Sequence, residues 1–304
     1  MTAIAAAPSM LASGRRLGTQ TLPLATILLA ILVLWYLGAI LLNAPQVIEL
    51  KFRDRPDWRA AELVDATWSM ERPVLPAPHQ VAADFYESVF DRPVTSKRSL
   101  VYHAGVTASA TLVGFLLGIV LGVTLAVGIV HVRTLDRSLM PWIIASQTVP
   151  ILAIAPMIVV VLGNVGFTGL LPKAVISMYL CFFPVAIGMV KGLRSPDPLQ
   201  LDLARTYSAS RSQVFWKLRC PASVPFLFAS LKVAVGVSLV GAIVGELPTG
   251  AQEGIGARLL SGSYYGQTVQ IWSALVMSAL LGIVLVALVG LVERLTLRQM
   301  GAQP

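Results

Sequence analysis

Thirty consecutive residues, 103–132, carry no Asp, Glu, Lys or Arg. At 1.5 Å per residue such a run is long enough to cross a bilayer with some tilt, and few soluble cores could bury it. It is one of several. Residues 22–42 form an apolar run of spanning length; residues 137–173 show no charge between their ends; residues 170–190 and 225–244 are again apolar; and Arg258 and Glu293 bracket a last one. The sequence predicts an all-α polytopic membrane protein of about six transmembrane helices. Composition agrees: charged residues make up 12% of the 304 residues, where soluble domains carry about 25%.

Charge placement sets the expected orientation. Between Lys191 and Arg219 stand six basic residues (Lys191, Arg194, Arg205, Arg211, Lys217, Arg219) and two acids (Asp197, Asp202). This is the most one-sided loop in the chain, so the positive-inside rule assigns it to the cytoplasm, together with both termini. Residues 44–99 hold eight basic and nine acidic side chains, a near-neutral balance suited to an exported segment. The expected division is a cytoplasmic tail at 1–21, a first span at 22–43, an extracytoplasmic segment at 44–99, a core at 100–298 with a cytoplasmic loop at 191–222, and a tail at 299–304. The net charge of +8 falls between apolar runs rather than on one continuous patch, which suits lipid headgroups and speaks against nucleic acid.

Within the runs, Gly114, Gly118 and Gly122 lie at i, i+4 and i+8 and let a neighbouring helix come close. Pro141, Pro150 and Pro156 punctuate the third run, and Pro184 is expected to break the fourth. Proline frees a backbone carbonyl, and discontinuous helices of this kind line solute paths in transporters. Gln147, Thr148, Pro150, Pro156 and Asn164 are therefore pathway candidates, with Glu246 at the end of the fifth run. Lys232, the one ionisable side chain expected inside the spans, is placed within snorkelling reach of the interface. His79, flanked by prolines, is expected to face solvent.

The basic loop has its own local signals. Asp197 and Asp202 suit the start of one short helix, and Ser210-Arg-Ser-Gln213 has capping-box spacing for a second. Val214, Phe215 and Leu218 make one apolar face, and Pro221 is expected to end the helix. No Gly-x-x-x-x-Gly-Lys-Ser/Thr loop, metal-ligand spacing or nucleophile–base set occurs, so the sequence points to no catalytic residue, metal or cofactor of its own.

This loop resembles the EAA loop of the inner-membrane permease subunits of bacterial ABC importers, in the branch handling nitrate, sulfonates, taurine and related solutes. Asp202 matches the acid of that motif, Ala204 its second small residue, Phe215 the aromatic and Pro221 the proline. Leu203 stands where alanine is usual and Ser208 where glycine is. Serine reaches positive φ only against steric resistance. Val74-Leu-Pro-Ala-Pro and Glu246 with Glu253-Gly-Ile-Gly256 are similar to further family segments, so the likeness runs over residues 74–298. It implies the type I importer permease fold in a bacterial inner membrane, and a coupling loop for a separate ATPase that carries ATP and Mg, formed by Asp202, Leu203, Ala204, Ser208, Ala209, Phe215, Leu218 and Pro221. It further implies a second permease copy or paralogue and a periplasmic or lipid-anchored binding protein delivering a small anion or a pyrimidine-type vitamin precursor. The competing classes are an ion-gradient-driven secondary transporter and a non-transport scaffold. The first would carry intramembrane carboxylates or internal repeats.

Overall fold

A computed structural model describes residues 11–53, 55, 57–248 and 253–301, with side chains from residue 22 onward. Residues 1–10 of the tail expected at 1–21, residues 54 and 56, residues 249–252 and residues 302–304 lie outside the described residues. The described chain is helical: α1 (Leu11–Lys51), α2 (Ala60–Trp68), α3 (Pro78–Tyr86), α4 (Leu100–His131), α5 (Arg133–Ser146), α6 (Ile151–Asn164), α7 (Leu170–Leu193), α8 (Pro198–Thr206), α9 (Arg211–Val214), α10 (Cys220–Glu246), α11 (Ile255–Tyr264) and α12 (Thr268–Gln299). Single π turns occupy Glu87–Asp91 and Phe215–Arg219.

Among the described residues, five stretches are long and apolar enough to cross a membrane: Leu22–Lys51, Leu100–His131, Leu170–Leu193, Arg211–Glu246 and Thr268–Gln299. A sixth arises if α5 and α6, bent by 100° at the break before Pro150, count as one span. The proline reading therefore holds at Pro150. It fails at Pro141 and Pro156, which lie inside α5 and α6, and at Pro184 and Pro221, and the first helix runs through Pro45 to Lys51 rather than ending near Asn43. Pro184 deletes one ladder bond from a helix buried along much of its length, and that packing holds α7 straight enough to continue. Pro221 follows the π turn, and the continuous helix passes from Arg211 to Glu246. A widened turn spaces the carbonyls so that a residue without N–H disrupts less of the ladder.

The chain divides into two compact units. In the first (residues 1–84 and 266–272), Val47, Phe52 and Ala66 form a small core with Trp58, Leu63 and Met70 against it. Asn43, fully buried, pins the proline-rich segment: its Oδ1 accepts from Val74 N–H (2.8 Å) and Leu75 N–H (3.1 Å), and its Nδ2 donates to the Leu75 carbonyl (2.9 Å). Those groups have no helical partner of their own, and an amide satisfies donors and acceptor together. His79 is exposed as expected, yet its ring stacks on Tyr36 with centroids 5.9 Å apart.

The second unit (residues 85–265 and 273–304) is built on α4, α7 and α10. The three glycines of α4 bring it against α7: a Cβ at Gly114 would lie 2.4 Å from Ser177 Cβ, and one at Gly118 would lie 2.6 Å from Cys181 Sγ. Gly241 makes the same approach from α10, where an added Cβ would lie 2.7 Å from Ser177 Cα. With the backbones that close, Ser177 Oγ lies 2.6 Å from Ser238 Oγ, and Ser238 donates to the Thr111 carbonyl at 3.0 Å. Small residues with hydroxyls between them are the packing that apolar surroundings favour, since lipid gives helices no hydrophobic reason to associate. Phe115, Cys181, Val185, Phe228, Leu231 and Leu285 fill the space below.

Candidate functional site

The loop between α7 and α10 is built by local chemistry at both ends. Asp197 caps α8, accepting from Leu199 N–H at 2.8 Å with Pro198 in the first turn. At the far end the Ser208 N–H donates to the Arg205 carbonyl and the Ala209 N–H to the Ala204 carbonyl, both at 2.9 Å. This bond pair is a Schellman motif, which requires a left-handed residue at its pivot. Ser208 supplies it with φ of +52°, the one positive φ at a non-glycine among the described residues. The turn geometry that glycine would give is thus retained by serine under strain. Ser210 then opens α9 with the full capping box: its side chain accepts from Gln213 N–H (3.2 Å), and Gln213 Oε1 accepts from Ser210 N–H (2.8 Å).

These closures fix the two faces of α8. Leu199, Leu203 and Tyr207 follow at i, i+4 and i+8 and stand outward, 77%, 58% and 79% exposed. Asp202 is also exposed and is bound to Arg205 at 2.9 Å. Ala204, Ala209 and Leu218 line one shallow recess of about 300 Å³ with Tyr207 and Lys217. Phe215 turns the other way, edge to face with His131 (centroids 4.9 Å apart) and against the cluster of Ile129, Phe182 and Met189. Pro221 is exposed in the first turn of α10. Arg194 ties the loop to α5 through Asp136 at 2.9 Å. Of the residues singled out in the sequence, the structure thus gathers Ala204, Ala209 and Leu218, keeps Asp202 and Leu203 on the exposed helix, and directs Phe215 inward.

The pathway candidates are not gathered. Gln147, Thr148 and Pro150 sit exposed at the break between α5 and α6, Pro156 lies inside α6, and Asn164 is its last residue. Glu246 is elsewhere and 0% exposed. Its carboxylate accepts from Thr107 Oγ1 (2.9 Å) and Gly256 N–H (2.8 Å), and Lys173 Nζ lies 3.7 Å away. Lys173 also donates to the Glu253 carbonyl (3.1 Å), and Thr107 Oγ1 accepts from Ile255 N–H (2.8 Å). His103 completes the arrangement: Nδ1 accepts from Gly254 N–H (2.9 Å), so Nε2 carries the proton that meets the Lys97 carbonyl (2.9 Å).

One expectation about charge needs correction. The spans hold more ionisable side chains than Lys232: Lys173 and Glu246 form a buried pair within them. Lys232 itself meets Glu293 at 2.5 Å. Thr107, Lys173 and His103 were missed as site residues, although a lone cation and a lone anion in separate apolar runs are a signal for pairing. Outside the spans, Lys97 and Glu253 pair at 3.0 Å. Their hydrogen bond, helped by mutual attraction, raises the Lys97 ammonium above its ordinary pKa and lowers the Glu253 carboxyl below its own. Among the described residues no group of three or more His, Cys, Asp or Glu could hold a metal.

An all-helical chain with five membrane-length helices, or six with the bent pair as one, is a multi-pass membrane protein. The chain belongs to the family of binding-protein-dependent transport system inner membrane components, whose model matches residues 114–299. It is 35% identical to the riboflavin transport system permease protein RibX of Chloroflexus aurantiacus, over 74% of this chain and 80% of that one. It is 28% identical to the formylaminopyrimidine transport permease protein ThiX of Halalkalibacterium halodurans (60% and 68% covered) and 25% identical to the putative aliphatic sulfonates transport permease protein SsuC of Bacillus subtilis (74% and 78%). This is an inner-membrane permease of an ABC importer, a transport subunit rather than an enzyme, and the family works with an ATPase and a binding protein.

Proposed function

We propose that this chain forms the transmembrane path of an importer for a flat nitrogen heterocycle, and that α8 is the element its ATPase subunit grips. The observation carrying the coupling role is the outward row Leu199, Leu203 and Tyr207 on a short helix locked at both ends by Asp197 and the Ser208 turn. A capped helix with an apolar outer face is a rigid lever: force applied to it passes through Arg194–Asp136 and Phe215–His131 into α5 and α4 rather than being absorbed by the loop. ATP and Mg belong to the partner ATPase. Two permease copies, or this chain and a paralogue, would enclose the path, and closure of the ATPases would swing the spans between inward-open and outward-open arrangements. The positive-inside rule puts α8 in the cytoplasm, where that subunit can reach it.

The names of the relatives support this solute class. Those named for riboflavin and formylaminopyrimidine are 35% and 28% identical, those named for sulfonates and nitrate 25% and 27%. Solute arrives on a binding protein, which makes the choice. The coupling role is tested by co-purification of the ATPase with Leu203→Asp and Tyr207→Asp chains. Loss of the ATPase with unchanged membrane insertion supports the role, and full retention refutes it. Competition of ATP-dependent uptake by riboflavin, a pyrimidine and a sulfonate tests the solute class, and inhibition by the sulfonate alone would reverse it.

A further inference from the structure

Behind α8, facing away from the outward row, lies a recess of about 550 Å³. Arg205, Arg211, Arg219 and His131 line it, and among the described residues no carboxylate does. The rest of its wall is apolar, from Val130, Leu201, Val214 and Phe215. Two of the guanidiniums are oriented by contacts at its edge: Arg219 donates to the Leu193 carbonyl (3.3 Å), and Arg205 pairs with Asp202 on the outer rim (2.9 Å). That rim acid answers one cation of the set, so the recess carries an excess of positive charge in a space that holds more than water alone.

We propose that this recess binds the phosphate headgroup of an anionic phospholipid from the leaflet it faces. His131 is the last residue of the membrane-length helix Leu100–His131, and Arg211 is the first of the continuous helix Arg211–Glu246, so the recess lies at the ends of two membrane-length helices. The lining offers guanidiniums and apolar side chains within one recess, the two chemistries that the head and stem of a phospholipid need. Guanidiniums match phosphate oxygens with paired N–H groups, and basic pockets between membrane helices take such headgroups. A bound headgroup would brace α8 from behind and connect it to the ends of α4 and α10. A free phosphate offers the same head chemistry without a stem, and an acidic protein segment offers charge without either; both are outcomes of the test.

The experiment is native mass spectrometry of the full chain, purified in detergent and titrated with phosphatidylglycerol, phosphatidylcholine or inorganic phosphate. Each basic contact near a membrane surface contributes on the order of a fivefold change in affinity, so the unaltered chain is expected to retain phosphatidylglycerol over phosphatidylcholine by about tenfold or more. Arg211→Gln with Arg219→Gln is expected to abolish that preference, while Arg133→Gln with Arg137→Gln, on the neighbouring basic turn, leaves it intact. Arg211→Gln alone, on an exposed side chain, is expected to reduce it several-fold should the double variant fail to fold. Equal loss in the Arg133 and Arg137 variant, or no loss in the recess variants, overturns the proposal. Displacement of the lipid by millimolar inorganic phosphate overturns the lipid source in favour of a free anion. Unchanged lipid retention with loss of the ATPase would assign the recess to an acidic protein segment. The lipid measurement needs no ATPase, so its failure and that of the coupling role of α8 are read separately.

Discussion

Thr107 and Glu246, on helices α4 and α10, meet at 2.9 Å with neither side chain open to solvent. Around that contact Lys173, His103 and the backbone of residues 253–256 complete one hydrogen-bonded set that ties the start of α11 to three spans. Gly254 shows how tightly it is closed: at φ of +119°, an added Cβ would fall 2.2 Å from the Glu246 carboxyl. A buried ion pair contributes little in itself, but removing one partner strands the other charge.

Lys173→Met is therefore expected to lower stability by about 3–5 kcal/mol. Adding Glu246→Gln to it should recover a substantial part, because the remaining amide can still accept from Thr107 and Gly256. Thermal unfolding of the purified chains in detergent measures both. Additive losses would show that the two side chains act independently.

Ser208→Gly removes the left-handed strain at the end of α8 and should stabilise the loop by about 1 kcal/mol. Ser208→Val should do the reverse, since branching at Cβ crowds a positive φ further. Limited proteolysis across residues 199–217 reads the difference, with the glycine variant cut more slowly than the native chain and the valine variant faster.

The glycine face of α4 has a comparable prediction. Gly114→Val places a side chain where Ser177 already stands, and separating α4 from α7 also breaks the Ser177–Ser238 contact. A loss of about 1–3 kcal/mol or more is expected. Gly105→Ala, on the same helix with nothing within 4 Å of its Cβ position, should leave the unfolding midpoint unchanged or raise it slightly.

The Lys97–Glu253 pair makes stability depend weakly on pH. The folded Glu253 pKa lies below its ordinary 4.5, so its contribution is present above that value and is lost as pH falls through the lowered one. The folded Lys97 pKa lies above 10.5, so its contribution is present below that value and is lost as pH rises through the raised one. Between these limits the difference between the native chain and Lys97→Met is expected to be flat with pH, small, and reduced by salt, as for an exposed pair. Unfolding midpoints across pH at two ionic strengths test it.

The legible parts of this chain were those set by neighbours in sequence or by one helix face. Gly114, Gly118 and Gly122 marked the α4 face that α7 covers, Ser210 and Gln213 marked a helix start, and Pro150 marked the α5–α6 break. Proline misled where tertiary packing or a π turn absorbed the missing N–H, at Pro184 and Pro221. The set around Glu246 escaped because its members come from four separate stretches, and because Lys173 stands at the edge of an apolar run, where it reads as a boundary. Asn43 read as the end of a helix, whereas its amide instead holds Val74 and Leu75 against α1.

The central claim is that α8 faces the cytoplasm and is held there by a separate ATPase. Leu203→Cys in a Cys220→Ser background leaves Cys181, which is buried, as the other thiol. With the ATPase co-expressed, a bifunctional thiol reagent should join residue 203 to that subunit, and membrane-impermeant maleimide added outside intact cells should leave residue 203 unmodified. Labelling of residue 203 from outside, with no cross-link to the ATPase, would contradict the account.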